Sequence, residues 1–388
     1  MMITSAEAIA RHRARAGIAI IAALGGIVVI GALIAGVFFV STQESQISGG
    51  SLVHERAFRA AELGLNTTLA NWDAPIMYEL PLGGMKTMVY SGTGWVDTVV
   101  VTKITARAFS ILSSATAGTG RLARSRKQTL LSIRLSAPDF NFLGALTVRG
   151  MTQIGGSSFI NGTNTNPTTW AGCPAVTNAT AGLAIADSTL ITYSGCPSGT
   201  CVAGSPRILQ IPTANDTTKY FKFGDEDWAS LTAAADKIIT GNATLSQINP
   251  VVTNGVCAQS DPSNWGAPSH TTPANACENY FPIIHAKGSA STLKLTGNKG
   301  QGILLVDGDL EISGGFEFYG PVIVRGRIRS TGTGGKLNGG VMAANVDLEQ
   351  NTVLGDATIT YSSCAVEKAI AGSANPRRLV QRAWTEVH

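Results

Sequence analysis

Two groups of carboxylate residues have the spacing that catalysis or cation binding would require. Asp307, Asp309 and Glu311 alternate along an apolar stretch, so a strand there would present all three on one face. Carboxylates in such a row can bind calcium or a sugar and would suit an enzyme acting on polysaccharide. The second group, residues 225–227, has the composition of a cation site, but acidic charge in the first turn of a helix explains it more simply.

The acidic row has basic counterparts at a constant distance along the chain. Segments 302–312 and 320–330 match at an offset of 18 residues, and 340–349 continues the pattern at 18 to 19. Stacking by 18 sets opposite charges on each other: Arg325 on Asp307, Arg327 on Asp309, Arg329 on Glu311, and Asp347 on Arg329. Such cross-strand pairs contribute about 0.2–1 kcal/mol each. The row is therefore predicted to be structural, with an enzyme as the alternative.

No motif for nucleophilic, metal or nucleotide chemistry occurs in the sequence. His54, His270 and His285 stand apart, and neither a Gly-x-Ser-x-Gly elbow nor a phosphate-binding glycine loop is present. The cysteines contain no Cys-x-x-Cys pair, which argues against structural zinc. We therefore predict no catalytic residue, no metal ligand and no cofactor.

All six cysteines lie beyond an apolar N-terminal segment: Cys173, Cys196, Cys201, Cys257, Cys277 and Cys364. An even number of cysteines in an exported region indicates disulfides. Six thiols allow 15 pairings, so the connectivity stays open. The favoured set joins Cys196 to Cys201 and Cys257 to Cys277, which leaves Cys173 for Cys364.

The apolar N-terminal segment predicts where the rest of the chain resides. Residues 17–40 carry no charge and follow Arg11, Arg13 and Arg15. Twenty-four residues make a helix of about 36 Å, enough to cross a hydrocarbon core of about 30 Å. The run exceeds the ~7–15 apolar residues of a signal peptide, so a retained anchor is expected. The preceding arginines predict a cytoplasmic N-terminus and an exported remainder.

Bulk composition agrees with export. Only 14% of the 388 residues are charged and 6% are aromatic, whereas 44 are glycine, a profile typical of a turn-rich extracellular β protein. The net charge of +4 owes much to the N-terminal arginines and to residues 121–127. Such a small excess gives no reason to expect a nucleic-acid partner.

The membrane helix is expected to continue into a half that packs on a sheet. One apolar stripe at helical spacing comprises Phe58, Ala61, Leu65, Leu69 and Trp72. The sequence at 73–75 ends the helix at a proline. An antiparallel meander is predicted over residues 86–136, with glycine turns at 91–94 and 118–120. This sheet would bury the apolar stripe of the helix.

The rest of the chain is predicted to form a solenoid. Short strands repeating every 18 residues with turn glycines are typical of a parallel β-helix, whereas a sandwich of hairpins needs no fixed period. The fold class is mainly β with a long N-terminal α-helix, a small α+β domain and a right-handed parallel β-helix. The expected parts are a leader (1–17), a transmembrane and assembly helix (18–72), an antiparallel-sheet domain (73–137) and a β-helix domain (138–388). Within the β-helix domain we expect disulfide-tied loops over about 163–299, with one helix over 225–239.

Two stretches of the N-terminal region carry a family resemblance. The first is Arg-Ala-Gly-Ile-Ala-Ile-Ile at 15–21 with its apolar run, and the second is Glu-Arg-Ala-Phe-Arg-Ala-Ala-Glu-Leu-Gly-Leu at 55–65. Together they resemble the PilX-type N-terminal region of type IV pilus minor pilins, over about residues 11–72. The resemblance implies cleavage by a prepilin peptidase after Gly17, with Ile18 as the mature N-terminus. It assigns filament assembly to Glu55, Arg56, Phe58, Arg59, Ala61, Glu62 and Leu65.

The resemblance also implies partners and a location. The partners would be other major and minor pilins, the peptidase, the inner-membrane assembly machinery and membrane lipid. The subunit would wait in the inner membrane and then enter an extracellular pilus or a periplasmic filament. Many pilins carry glutamate at the fifth mature residue, where this chain has Ala22, which favours a tip or priming subunit. The alternatives are a membrane-anchored β-helix enzyme acting on polysaccharide and a passive, permanently anchored surface adhesin.

Overall fold

One continuous helix opens the structure, a computed structural model. The residues described are 6–105, 107–118, 125–173, 175–176, 178–196, 199–212, 216–270, 274–345, 350–378 and 384–387. Helix α1 covers Ala6–Ala70, 65 residues or about 98 Å, and no proline precedes Pro75 to interrupt it. The short helix α2, Ala74–Glu79, follows, and the Asp73 carboxylate caps it by accepting a hydrogen bond from the Ile76 amide at 3.2 Å.

An antiparallel sheet packs against the second half of α1, as predicted. Its first four strands are β1 (Met85–Gly92), β2 (Trp95–Lys103), β3 (Ala108–Ala117) and β4 (Ser125–Ser136). Strand β3 was absent from the sequence prediction, because serine and alanine at three of its five inward positions weaken the apolar alternation.

The C-terminal strands also belong to this sheet. Asn375–Arg378 and Trp384–Val387 both pair with β4, and Asn375 lies opposite Ser136. The boundary that placed every residue from 138 to 388 in the β-helix domain is therefore corrected. Strands of four residues without a repeat carry too little periodicity to be assigned from sequence.

Two large parallel sheets form the rest of the molecule and are consistent with a β-solenoid. One has seven strands, in spatial order Ala243–Leu245, Thr292–Thr296, Asp309–Ser313, Ile328–Ser330, Asn351–Val353, Thr152–Gly155 and Ile191–Ser194. The other has twelve strands: Gly144–Val148, Phe159–Asn161, Ala181–Ile185, Val202–Ala203, Ile208–Gln210, Lys237–Thr240, Ile283–Lys287, Lys299–Gln301, Ile303–Val306, Phe316–Val324, Gly335–Ala343 and Thr358–Tyr361. Their apolar side chains meet in one core, with Leu310, Val322 and Ile328 almost fully buried.

The repeat of about 18 residues predicted from sequence is present in the strand register. Leu304 pairs with Val322, Glu311 with Arg329, and Val322 with Val341. Segment 145–150, which shows the same pattern, lies beside the last repeat, where Leu146 pairs with Val341. The predicted stacking of Asp347 falls outside the described residues.

Residues 163–299 contribute strands as well as loops. Both parallel sheets take strands from this range, including Ala181–Ile185 and Ile283–Lys287. The helix predicted over 225–239 is only α3, Trp228–Ala233, because Lys237–Thr240 pairs with Ile283–Lys287 instead. Sheet pairing of the β-branched Ile238 and Ile239 thus overrides helix propensity. A further helix, α4 (Ser363–Ser373), packs on the twelve-stranded sheet and was absent from the prediction.

Candidate assembly helix

Within the part of the chain that the structure describes, residues 20–52 of α1 pack against no other element. Every residue from Ile20 to Leu52 is exposed, and the large apolar side chains of Ile21 and Phe38 are 72% and 69% exposed. By length and composition the apolar part can cross a membrane. An apolar surface of this extent requires lipid or other helices around it. The helix is therefore consistent with membrane anchoring.

The C-terminal half of α1 is docked by a row of small residues. The buried positions follow helical spacing: Ala57, Ala60, Ala61, Gly64, Leu65 and Thr68. The predicted stripe is confirmed in part, with Ala61 and Leu65 fully buried and Phe58 at the margin. Small side chains allow the helix axis to approach the sheet closely. One continuous helix thus combines an exposed apolar part with a packed half.

The charged residues of the predicted assembly segment lie on the outer side of this interface. Glu55 and Arg59 form an exposed ion pair at 2.7 Å, one helical turn apart. Arg56 is also exposed, and Glu62 is half-buried. Gly17 and Ile18 lie within the backbone of the same continuous helix. Glu55, Arg56 and Arg59 therefore remain exposed on the surface of α1, whereas Glu62 lies at the margin of the helix–sheet contact.

A buried carboxylate under the helix was missed by the sequence reasoning. Asp97 on β2 is fully buried, and Ser113 Oγ lies 2.8 Å from its Oδ1 and 3.0 Å from the Ala61 carbonyl oxygen. Burial raises the pKa of Asp97 to about 6, although the hydrogen bond from Ser113 opposes this. The sequence could have indicated this burial, because Asp97 alternates with Val99 and Val101, which face inward on the same strand.

The six cysteines form three disulfides in the pairing that the sequence favoured. Cys173 is bonded to Cys364, Cys196 to Cys201, and Cys257 to Cys277. The first bond joins the chain ahead of Ala181–Ile185 to α4, across 191 residues. The other two close loops at separations of 5 and 20 residues.

The acidic row has the basic partners that the 18-residue register predicted, but Asp307 lies in the turn before the strand Asp309–Ser313 and not on that strand with Asp309 and Glu311. Arg327 Nε lies 2.8 Å from Asp309, Arg329 lies 3.1 Å from Glu311, and Arg325 lies 3.9 Å from Asp307. Asp307 also lies 3.3 Å from His285 and accepts a hydrogen bond from the Gly288 amide. Every carboxylate of the row therefore contacts a basic side chain.

The remaining candidate residues for chemistry are dispersed. His54 lies near Ser125 on the exposed side of α1, and His270 stacks on Trp170 with ring centroids 5.2 Å apart. In the second acidic group, Asp225 pairs with Arg134, Glu226 accepts a hydrogen bond from Ser136, and Asp227 caps α3. Within the described ranges, no three His, Cys, Asp or Glu side chains are grouped so as to hold a metal ion.

No protein-family model matches the chain, and no curated protein matches it. Among solved structures, the chain is similar to the competence-associated pilin ComZ from Thermus thermophilus. The match covers 86% of this chain and 97% of that one, with 12% sequence identity and a TM-score of 0.27. A superposition this loose decides nothing by itself.

Proposed function

We propose that this protein is a pilin-like subunit of a type IV pilus or a related filament, inserted through its N-terminal helix. The observation that supports this most strongly is the division of α1 into two halves. Residues 20–40 are apolar and exposed in the described structure, whereas Ala57 to Thr68 dock on the protein's own sheet. Such a helix can leave lipid and pack against the helices of other subunits without any change in its own fold.

The finer assignment is to minor pilins with a PilX-type N-terminus. Gly17 and Ile18 are the proposed cleavage site of a prepilin peptidase, with the preceding arginines on the cytoplasmic side. Other major and minor pilins and the inner-membrane assembly machinery are the proposed partners. The exposed Glu55, Arg56 and Arg59 are the proposed polar contacts to neighbouring subunits.

The proposed role of the parallel sheets is display. We propose that they close as a right-handed β-helix presented for assembly or adhesion, and that the protein is not an enzyme. The main support is that Asp307, Asp309 and Glu311 each contact a basic side chain, which leaves that row without a free carboxylate for catalysis. Loss of glycan-dependent activity in a folded Asp309→Asn variant would instead support a polysaccharide-acting enzyme.

The decisive measurement is the mature N-terminus, by intact mass spectrometry of cells with and without their prepilin peptidase. We expect a chain beginning at Ile18 only when the peptidase is present. Gly17→Val should block this cleavage, whereas the matched Gly25→Val, inside the same apolar run, should not. An intact N-terminus in both strains would instead support a permanently anchored adhesin, and cleavage beyond Val40 would support a secreted protein.

A further inference from the structure

The part of α1 between its apolar run and its docked half is exposed and carries few charges. Residues 17–43 carry no charge at all, and Glu44 is the first charged side chain after them. Every residue from there to Leu52 is exposed. The next formal charges are Glu55, Arg56 and Arg59, just before the buried row that docks on the sheet. The charges that a neighbouring helix would meet on this segment are therefore few and well separated.

Two of these charges have no partner within the described part of the chain. Glu55 and Arg59 form an ion pair with each other. Glu44 has no basic residue three or four positions away on either side, and Arg56 has no acidic residue at those positions, so neither can pair along the helix. Neither side chain takes part in any ion pair among the described residues. Both are exposed, and they have opposite sign.

The spacing of Glu44 and Arg56 determines which neighbour could pair them. Twelve residues separate the two, which is about 18 Å along the helix axis. Copies anchored by the same apolar run share one helix direction. Level helices would set Glu44 beside Glu44 and Arg56 beside Arg56, whereas a shift of about 18 Å sets Glu44 of one copy beside Arg56 of the next. Opposite charges therefore meet only between staggered copies.

The two charges also point in different directions around the helix. At 3.6 residues per turn, Glu44 and Arg56 differ by about 120°. One helix can therefore meet one neighbour through Glu44 and a second neighbour through Arg56. A contact of this kind is heterologous, so it repeats along a filament and does not close as a dimer.

Each charge has an exposed apolar residue one helical turn away. Ile47 follows Glu44 and is 71% exposed, and Leu52 precedes Arg56 and is 61% exposed. Burial of these side chains would favour association, but apolar contact is non-directional and does not fix how far one helix is shifted along another. A charge pair at the same interface fixes that shift, because wrong registers bring like charges together.

We propose that this segment of α1 docks on α1 of a second copy shifted by about 18 Å along the helix axis, with Glu44 of one copy paired to Arg56 of the next. The inference deepens the proposed function and rests on it, because it names the contact that sets the stagger of subunits in the filament. A shift of about 18 Å carries half of the apolar run out of the bilayer. The pair therefore belongs to the assembled filament and not to subunits that lie level in the membrane.

Disulfide cross-linking of the full chain in its own cells measures the stagger. We expect the double variant Glu44→Cys with Arg56→Cys to give a ladder of linked oligomers in oxidised filaments. Each single variant should give no linked dimer, because identical positions are not level. The matched control, Ser48→Cys with Arg56→Cys, would link only at a shift of about 12 Å and should give no ladder. Dimers in a single variant, or a ladder in the control alone, would overturn the proposal.

Charge exchange tests the pair without new cysteines. Glu44→Arg and Arg56→Glu should each lower the amount of this subunit in filaments about fivefold. The double exchange should restore most of it, and failure to do so would overturn the pairing. Both positions are exposed, so these variants should fold. Normal cleavage at Gly17 without a ladder would overturn this inference alone, whereas absence of that cleavage would overturn the proposed function and this inference with it.

Discussion

Asp97 lies where α1 meets the sheet, and its charge opposes folding. Three oxygen acceptors surround the Ser113 hydroxyl: both Asp97 carboxylate oxygens and the Ala61 carbonyl. One hydroxyl proton cannot serve all three. A protonated Asp97 supplies a second donor, so Ser113 can donate to Ala61 while accepting from Asp97. The neutral carboxyl therefore satisfies this interface better than the carboxylate, in agreement with its raised pKa.

This arrangement predicts the pH dependence of stability. Because the folded pKa is about 6 and the ordinary value is 3.8, the folded state binds the proton more tightly. The free energy of unfolding should therefore fall as pH rises from about 4 to about 6.5, by on the order of 2 kcal/mol. Asp97→Asn should remove this slope and raise stability at pH 7.5 by about 1–2 kcal/mol, measured by urea unfolding in micelles. An unchanged slope in Asp97→Asn, or a slope lost equally in the exposed Asp356→Asn, would contradict the assignment.

The close approach of α1 to Asp97 on β2 requires glycine at position 64. A Cβ atom at this position would lie 1.7 Å from Asp97 Oδ2 and 3.0 Å from a Val99 methyl carbon. Alanine normally stabilises a helix relative to glycine by about 0.5–1 kcal/mol. We expect Gly64→Ala to lower the free energy of unfolding by about 1–3 kcal/mol instead, because the helix must move off the sheet. The matched Gly49→Ala, which meets nothing within 4 Å, should not destabilise the helix. Equal effects of the two substitutions would contradict the close approach.

At the scale of elements, each of the four consecutive repeats between residues 283 and 361 carries charges of a single sign. Residues 283–301 contain Lys287, Lys294 and Lys299 with His285 and no acid, whereas 303–319 contain four acids and no base. Residues 322–338 then contain four bases and no acid, and 341–361 contain three acids and no base. Neighbouring repeats therefore attract in the native register, and any strand slip that pairs a repeat with its second neighbour brings like charges together.

Among the ion-paired acidic residues of these repeats, Glu317 is the most buried, so it is the best position at which to test the charge alternation. Its side chain is 13% exposed and lies 2.9 Å from Lys299 and 3.2 Å from Lys336. Burial alone would raise the pKa of Glu317, but hydrogen bonds from the two lysines outweigh it and hold the pKa below its ordinary value. Glu317→Lys sets three lysines in a row and should cost about 2 kcal/mol of unfolding free energy. Adding Lys299→Glu and Lys336→Glu should restore most of it.

The exposed pair on α1 provides the comparison for that experiment. Glu55→Lys breaks the ion pair with Arg59 and should cost only about 0.3–0.5 kcal/mol, because both groups remain in water. A loss from Glu317→Lys no larger than this would show that the alternation has no role in register. If the triple variant does not regain the unfolding free energy lost in Glu317→Lys, that loss comes from packing and not from charge.

The local elements of this fold could be predicted from sequence, whereas the order of the strands within the sheets could not. The helix, the sheet, the repeat and the disulfides Cys196–Cys201 and Cys257–Cys277 follow from spacing within short stretches, whereas Cys173–Cys364 joins segments far apart in sequence. Pairing of Val341 with Leu146, and of Ser136 with Asn375, joins segments that are distant in sequence, and a shared repeat pattern does not say which strands become neighbours. The chain thus enters the twelve-stranded parallel sheet in its middle at Leu146, and both parallel sheets are inserted in sequence between β4 and Asn375–Arg378.

At the scale of the whole molecule, the Cys173–Cys364 disulfide fixes this long-range order. It joins segments 191 residues apart, whereas Cys196–Cys201 closes only 5. The chain-entropy relation then gives about 5 kcal/mol for the first bond and about 2 kcal/mol for the second. Replacing Cys173 and Cys364 by serine should therefore lower the free energy of unfolding by about 3 kcal/mol more than replacing Cys196 and Cys201. Urea unfolding of the two double variants measures this difference with the same number of thiols removed. Equal losses would show that packing of α4 on the sheet already holds the two ends of the chain together without the bond.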